Sequence, residues 1–360
     1  MSYAFGASSK NLGFEYPCVV GFQGNQQIIT VQVSFGALCR FLAMDNTGDT
    51  LERSQRDLNR RRASAFASYL VNAVKAGTDY IIPPLIGNCD GVLKLNLMKD
   101  ANVGLVHIPM DARIRLFDGQ HRQAGISEAL NIMPDIRHHS VTIMLTDNLP
   151  LETRQQFFAD INGNASKPSA AINIAYDHTN VTGQTVKRVI LNNPLLKEKV
   201  DFERNTVSSK GNKWVSFKAL HDATERFCTH IEDEVVRRSE EDIQAIWNGW
   251  ASFTGLNETS CYTFGEYTQE WLTFTSVMVN AFGFAVNQIL KEMTVHELTE
   301  RLQLMGDKKN LASRENYFIY QNWTDCCVSK ETGKIIATTK AQRAAAEHLL
   351  KAMRSADYIF

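Results

Sequence analysis

What the sequence lacks narrows its class before any motif is read. It contains no G-x-S-x-G, no Walker-type P-loop and no H-E-x-x-H. The usual hydrolase, P-loop ATPase and zinc-protease chemistries therefore have no residues to run on. Seven cysteines, two of them adjacent (Cys326 and Cys327), include no C-x-x-C spacing. An odd number without a secretory leader argues against a disulfide framework and for a reducing compartment. The first residues, MSYAFGASSKNLGFEYP, offer neither a charged n-region nor a continuous apolar h-region, so the expected location is the cytoplasm. A strong charge of either sign is missing too: 38 basic and 39 acidic side chains leave a formal net charge of -1. Any nucleic-acid contact must then come from local basic patches rather than a global positive field.

With 8 prolines, 44% hydrophobic and 21% charged residues and no low-complexity segment, the chain reads as folded and globular. Its 360 residues exceed the roughly 250 to 300 at which a single core stops growing, which predicts two domains. One stretch has the length of a membrane span, the twenty uncharged residues from Trp271 to Leu290. It carries Ser276, Asn280, Asn287 and Gln288, so a buried core helix is expected and no membrane partner.

Four segments carry most of the local signal. LERSQRDLNRRRASAFASYLVNAVKAG predicts a helix, with Ser54 and Asp57 at capping-box spacing and Gly77 at the C-terminal cap. Its apolar stripe is Ala63, Phe66, Ala67, Leu70 and Val74. The double proline of YIIPPLIG forces an extended chain, and the turn Asn88 to Gly91 predicts a hairpin. In ARIRLFDGQHRQAGISEAL the period switches from strand to helix, with Asp118 placed to cap the helix. SVTIML (140–145) reads as a strand, followed by a helix entered at Pro150 that stops near 161–164. Beyond about residue 200 the pattern is mostly helical, with candidates at 217–232, 239–250, 266–291, 294–304 and 339–354.

The third segment outlines the candidate site. A strand ending in Asp118-Gly119 and opening a helix at Gln120-His121-Arg122 aims unpaired first-turn N–H groups, and the positive end of the helix dipole, at one place. Such a place favours phosphate. Gly119 admits close approach, Arg122 offers a bidentate fork and His121 a donor or titratable group. Asp118 caps the helix or orients a metal or hydroxyl. The plain alternative is a helix start with surface side chains.

FDGQHR followed by an apolar helix resembles the DGQHR signature of the DndB proteins of DNA phosphorothioation systems, as do RSQRDLNRRR and QQFFADINGNASKP and the total length. GQHR also sits where ParB-type domains carry G-x-R-R and sulfiredoxins G-C-H-R, motifs that hold nucleotide phosphates. The likeness runs in order over residues 50–175. Gln55 and Arg56 match a Q-P-R element without its proline, Pro83 or Pro84 the proline after the helix, and Gly119, His121 and Arg122 the phosphate motif. The last element departs: where ParB proteins place E-N-x-x-R, this chain has DINGNASKP, in which Asn162, Asn164 and Lys167 stand as substitutes. Gln120 occupies the position of the sulfiredoxin cysteine, which excludes that chemistry.

The resemblance implies an α+β protein: a ParB/sulfiredoxin-like domain over 1–190, with a mixed sheet and helices, then a mostly α-helical domain over 191–360. It implies a DNA-binding regulator of phosphorothioation genes or an accessory of the modification machinery. The alternative is a nucleotide hydrolase that uses ATP or CTP with magnesium, with Asp118, His121 and Arg122 as its catalytic residues. Nucleotide or phosphate would meet Gln55, Arg56, Gly119, Gln120, His121, Arg122, Asn162 and Asn164. A scaffold that has lost ligand binding is a third reading.

For DNA, the densest basic cluster is Arg53, Arg56, Arg60, Arg61 and Arg62, of which Arg53, Arg56 and Arg60 share a face at helical spacing. Charge alone does not separate DNA phosphates from those of a nucleotide, or from a solvated face. The loop 204–213 (RNTVSSKGNK) adds Lys210 and Lys213, or is an ordinary linker. Double-stranded DNA, other phosphorothioation proteins and a second copy of the chain are the expected partners. His138 and His139 diverge if they lie on a strand, and no third ligand is spaced for zinc, so no protein-encoded metal site is expected. Asp111, Asp118 and Asp160 are the acids near the cleft, too thin a set to support a nuclease.

Overall fold

The computed structural model describes residues 13–42, 58–164, 168–228, 238–306, 317–324 and 326–355. The chain divides into two compact units, 1–166 and 167–360.

The first unit is built on a hairpin that the four segments above leave out. β1 (Gly13–Gln23) and β2 (Gln26–Ser34) pair antiparallel, closing at Gln23 opposite Gln26. Their alternation is plain once paired: Cys18, Val20, Ile29, Val31 and Val33 are buried, whereas Val19 is exposed. α1 (Phe35–Phe41) follows, its first turn capped by the Ser34 hydroxyl accepting from the Ala37 N–H at 3.3 Å. α2 (Arg60–Ala76) leads to β3 (Leu85–Cys89), β4 (Lys94–Leu97), β5 (Val103–Pro109) and β6 (Ile114–Asp118). Then come α3 (Gln120–Ile132), β7 (Ser140–Asp147) and α4 (Leu151–Gly163).

The seven strands form one mixed sheet in the order β4-β5-β1-β2-β7-β3-β6. Every pair is antiparallel except β3 with β7. Leu85, Ile114, Leu116, Ile143 and Leu145 are buried in one core with Ala67 and Leu70 of α2 and Ile126 and Ala129 of α3. The core stripe of α2 is the expected one, with Phe66 and Val74 at its margin. The helix also ends as expected at Gly77, whose φ of 66° is left-handed.

Four local expectations change. α2 is capped by Asn59, whose side chain accepts from the Arg62 N–H at 3.1 Å; Ser54 and Asp57 lie outside the described residues. The turn after β3 does not close a hairpin, because β3 is taken by β7 and β6 while β4 pairs with β5. His138 ends a 3-10 turn (Pro134–His138), so its ring does not diverge from that of His139 but meets it edge-on at 4.6 Å. Gly119, not Asp118, is the residue that opens the helix after β6, and no side chain caps its first turn.

The second unit contains α5 (Ala170–Tyr176), α6 (Val181–Asn192), α7 (Phe217–Cys228), α8 (Glu240–Thr254), α9 (Phe264–Tyr267), α10 (Ser276–Ile289), α11 (Val295–Met305) and α12 (Thr339–Arg354). Its only described strands, β8 (Val200–Asp201) and β9 (Val215–Ser216), are parallel and two residues each. Its core is aromatic: Trp247, Trp250, Phe217, Phe227, Phe274 and Phe282 are buried together, and the Trp247 indole N–H donates to Thr224 Oγ1 at 3.0 Å. Val186, Val189 and Ile190 of α6 belong to this core, so the stretch 170–190, placed in the first of the expected domains, packs with the second unit. The expected helix 266–291 is broken. Thr275 caps α10 by accepting from the Met278 N–H at 3.4 Å, and Leu272 N–H leaves the helical path to donate to Phe318 O at 2.9 Å. α10 buries ten of its 14 residues, as a core helix should, and no described helix is long and apolar enough to cross a membrane.

Candidate functional site

The site is organised by the turn between β6 and α3. Gly119 has a φ of 101°, and a Cβ there would collide with Leu85 Cδ2. Only glycine fits. The first turn of α3 has no side-chain cap and no acidic residue. Its N–H groups lack intrahelical partners, and the dipole adds a partial positive charge.

The side chains of the motif are all engaged with their own fold. Gln120 is buried and donates through Nε2 to Leu116 O at 3.2 Å, tying the helix back to the strand. His121 accepts the Asn59 N–H at Nε2, 3.0 Å away. Arg122 donates through Nη2 to Asp118 Oδ2 at 2.8 Å and to Pro84 O at 3.1 Å, while its Nε is buried without a partner. Arg122 thus clasps the turn from within, and Asp118 is its counter-ion rather than a helix cap.

The His121 bond brings the start of α2 to the start of α3. Arg60, Arg61 and Arg62 follow Asn59 directly, all exposed, and among the described residues no carboxylate pairs with them. The two helices lie close along their length because position 125 is glycine: a Cβ there would stand 2.7 Å from Ala63 O and 3.0 Å from Phe66 Cβ. Ser64 Oγ donates to Glu128 Oε2 at 3.0 Å further along.

Other expected residues fall elsewhere. Arg53, Gln55, Arg56 and Lys167 lie outside the described residues. Asn162 and Asn164 are exposed near the end of α4 and donate back to Phe158 O (2.8 Å) and Asp160 O (2.9 Å). Asp111 precedes β6 and Asp118 ends it, so the length of the strand separates these two acids. Asp160 accepts from Gln156 Nε2 at 2.7 Å. Lys210 and Lys213 belong to the second unit, where Lys213 Nζ donates to Glu198 O at 3.1 Å.

Two features escape the sequence reading. The first is a cavity of about 290 Å³ between α4 and the sheet, walled by Ile28, Ile86, Met144, Phe117, Phe157 and Ile161, with Gln23, Gln26, Thr146 and Asp160 also lining it. Ile86 pairs with Asp118, so this wall adjoins the turn. The second is His221, Asp222 and Glu225 in α7, the one group of described residues close enough to share a cation. Burial would raise the Asp222 carboxyl, but hydrogen bonds from His221 and Lys218 outweigh it and hold the group below its usual range. Lys218 already neutralises Asp222, and Asn180 Nδ2 stands 3.3 Å from His221 Nε2. The group is therefore a satisfied ion network joining α6 to α7.

No curated protein and no solved structure matches the chain. A family model described as DNA-sulfur modification-associated, DndB, matches residues 16–355. The match takes in both units and the DGQHR turn alike, and the chain belongs to the DndB family of DNA-sulfur modification systems.

Proposed function

We propose that the chain is a DNA-binding regulator of the sulfur-modification genes, or an accessory of the modification machinery, and that its phosphate contacts centre on the start of α3. The observation that carries this reading is the uncapped first turn of α3 lying beside the three exposed arginines that open α2. Backbone N–H groups at a helix start and arginine forks without counter-ions are what phosphate oxygens reward. The family supplies the setting of sulfur modification. The ParB-like character of the N-terminal half is part of the same proposal, supported by the order of its motifs. Lys210 and Lys213 would add phosphate contacts, and a cytoplasmic, self-associating protein fits the role.

The test is binding to the promoter region of its own gene cluster at two salt concentrations, for wild type, Arg122→Ala and the triple variant Arg60→Ala/Arg61→Ala/Arg62→Ala. Binding by wild type should fall steeply with salt, and the triple variant should weaken on every sequence with a shallower salt slope. Arg122→Ala should weaken specific binding by loosening the turn. Absence of wild-type binding at both salts would sink the reading.

A nucleotide-hydrolase reading is favoured by the cavity beside Asp118, whose mostly apolar wall next to a phosphate-seeking turn suits a base and its phosphates. ATP or CTP with magnesium would be the ligand. Release of inorganic phosphate that disappears in Arg122→Ala would support it, and no release with either nucleotide would exclude it.

A further inference from the structure

A second concave, cationic surface lies at the far end of α3 from the DGQHR turn. It is a cleft of about 570 Å³ lined by Ser34, Gly36, Ala37 and Arg40 of the β2–α1 segment, Leu130 near the end of α3, and Pro134, Arg137 and His138 of the 3-10 turn. Among the described residues no acidic side chain lines it. Arg40 and Arg137 are both exposed, and neither meets a carboxylate of the described residues.

Four other arginines do have a carboxylate partner: Arg115 with Asp90, Arg122 with Asp118, Arg188 with Glu240 and Arg354 with Glu292. Two guanidinium groups sharing one concave surface repel each other, and concave low-dielectric walls concentrate their field. The cleft is also rigidly framed. Phe35 and Leu38 anchor α1 in the core, Ile136 anchors the 3-10 turn, and Phe35 N–H donates to His139 O at 2.8 Å, joining the two. Arg137 Nε donates to Pro134 O at 3.2 Å, which orients its fork and leaves both terminal nitrogens for a ligand.

We infer that this cleft is a second contact for the DNA backbone, in which Arg40 and Arg137 hold phosphate, resting on the DNA-binding reading above. The choice of DNA over a small anion follows from spacing. α3 has 13 residues and is about 20 Å long at roughly 1.5 Å per residue. Among the described residues, arginines without a carboxylate partner stand at both its ends, Arg60 to Arg62 at the start and Arg40 and Arg137 in the cleft by its last turns. A mononucleotide does not span that distance; a duplex backbone, with its phosphates repeated along the helix, does.

The experiment is a titration of the full chain with promoter-region duplex DNA from low to high salt, for wild type, Arg40→Ala/Arg137→Ala and Arg40→Lys/Arg137→Lys. The alanine pair should flatten the plot of log affinity against log salt by about 1.8, from about 0.9 for each phosphate that is no longer neutralised. It should weaken specific and non-specific duplexes alike while the melting temperature stays put, and the lysine pair should keep most of the slope. Wild-type binding with an unchanged slope in the alanine pair would overturn the cleft contact and leave the DNA reading standing. Weaker binding of inorganic phosphate or ATP by the alanine pair, with DNA affinity untouched, would overturn it in favour of a small-anion site. No wild-type DNA binding would overturn both.

Discussion

Gly119 shows how a single position sets the geometry of the site. Its left-handed φ of 101° and its contact with Leu85 leave no room for a side chain. Gly119→Ala should cost on the order of 1–3 kcal/mol, read as a lowered urea midpoint, and should weaken DNA binding as the turn shifts. Unchanged stability would show that the turn yields easily. The sequence predicts this glycine and the helix behind it. It does not predict that Gln120, His121 and Arg122 would each turn inward, because whether a polar side chain finds a protein acceptor depends on neighbours such as Pro84 and Asn59, remote in the chain. The cysteines differ by the same logic. Burial, and then the charges of Asp90 and Asp147, pushes the Cys89 thiol up to about 12, and burial pushes Cys228 to about 11, whereas Cys39 is exposed. Iodoacetamide at pH 8 should therefore label Cys39 long before Cys89, as followed by peptide mass spectrometry. Equal rates would contradict the burial of Cys89.

At the scale of elements, the close pairing of α2 with α3 brings the arginine-rich helix start beside the DGQHR turn. Gly125→Val would drive branched carbons into Ala63 O and Phe66. It should destabilise the first unit by about 1–3 kcal/mol and separate the two helix starts, lowering DNA affinity together with the melting temperature. DNA affinity that survives the substitution would detach the arginines from the site. Much of this layer was legible: α2, the strand–turn–helix at 114–132 and α4 follow from period and punctuation. The β1–β2 hairpin was not, though its alternation is present, because the meaning of residues 13–34 depends on pairing with β5 and β7, more than a hundred residues away in the second case. The broken helix at 266–291 has a different cause. The uncharged composition of 271–290 suits burial in any form, and the decision to leave the helix is made by Thr275 and by the carbonyl of Phe318.

At the scale of the whole molecule, each unit has its own core, and α5 and α6 supply residues to the second. A fragment of residues 167–360 should unfold cooperatively, whereas one of residues 191–360 should lose that transition, having shed Ala175, Val186, Val189 and Ile190. Equal thermal melts by circular dichroism would contradict the packing of α6. The near-neutral net charge was readable from composition, and with it the need for local basic surfaces, though which arginines lack a counter-ion among the described residues emerges only from the fold. The strand order also has a consequence for biosynthesis. β2 lies between β1 and β7, so the first two of the described strands are the hinge between the β4-β5 flank and the β7-β3-β6 flank. A growing chain can form the hairpin as soon as it leaves the ribosome, but the sheet cannot be joined across its middle until Asp147 has emerged. Until then β2 travels with one edge unsatisfied, and translation speed between Ser34 and Asp147 governs how long that edge stays open to other chains.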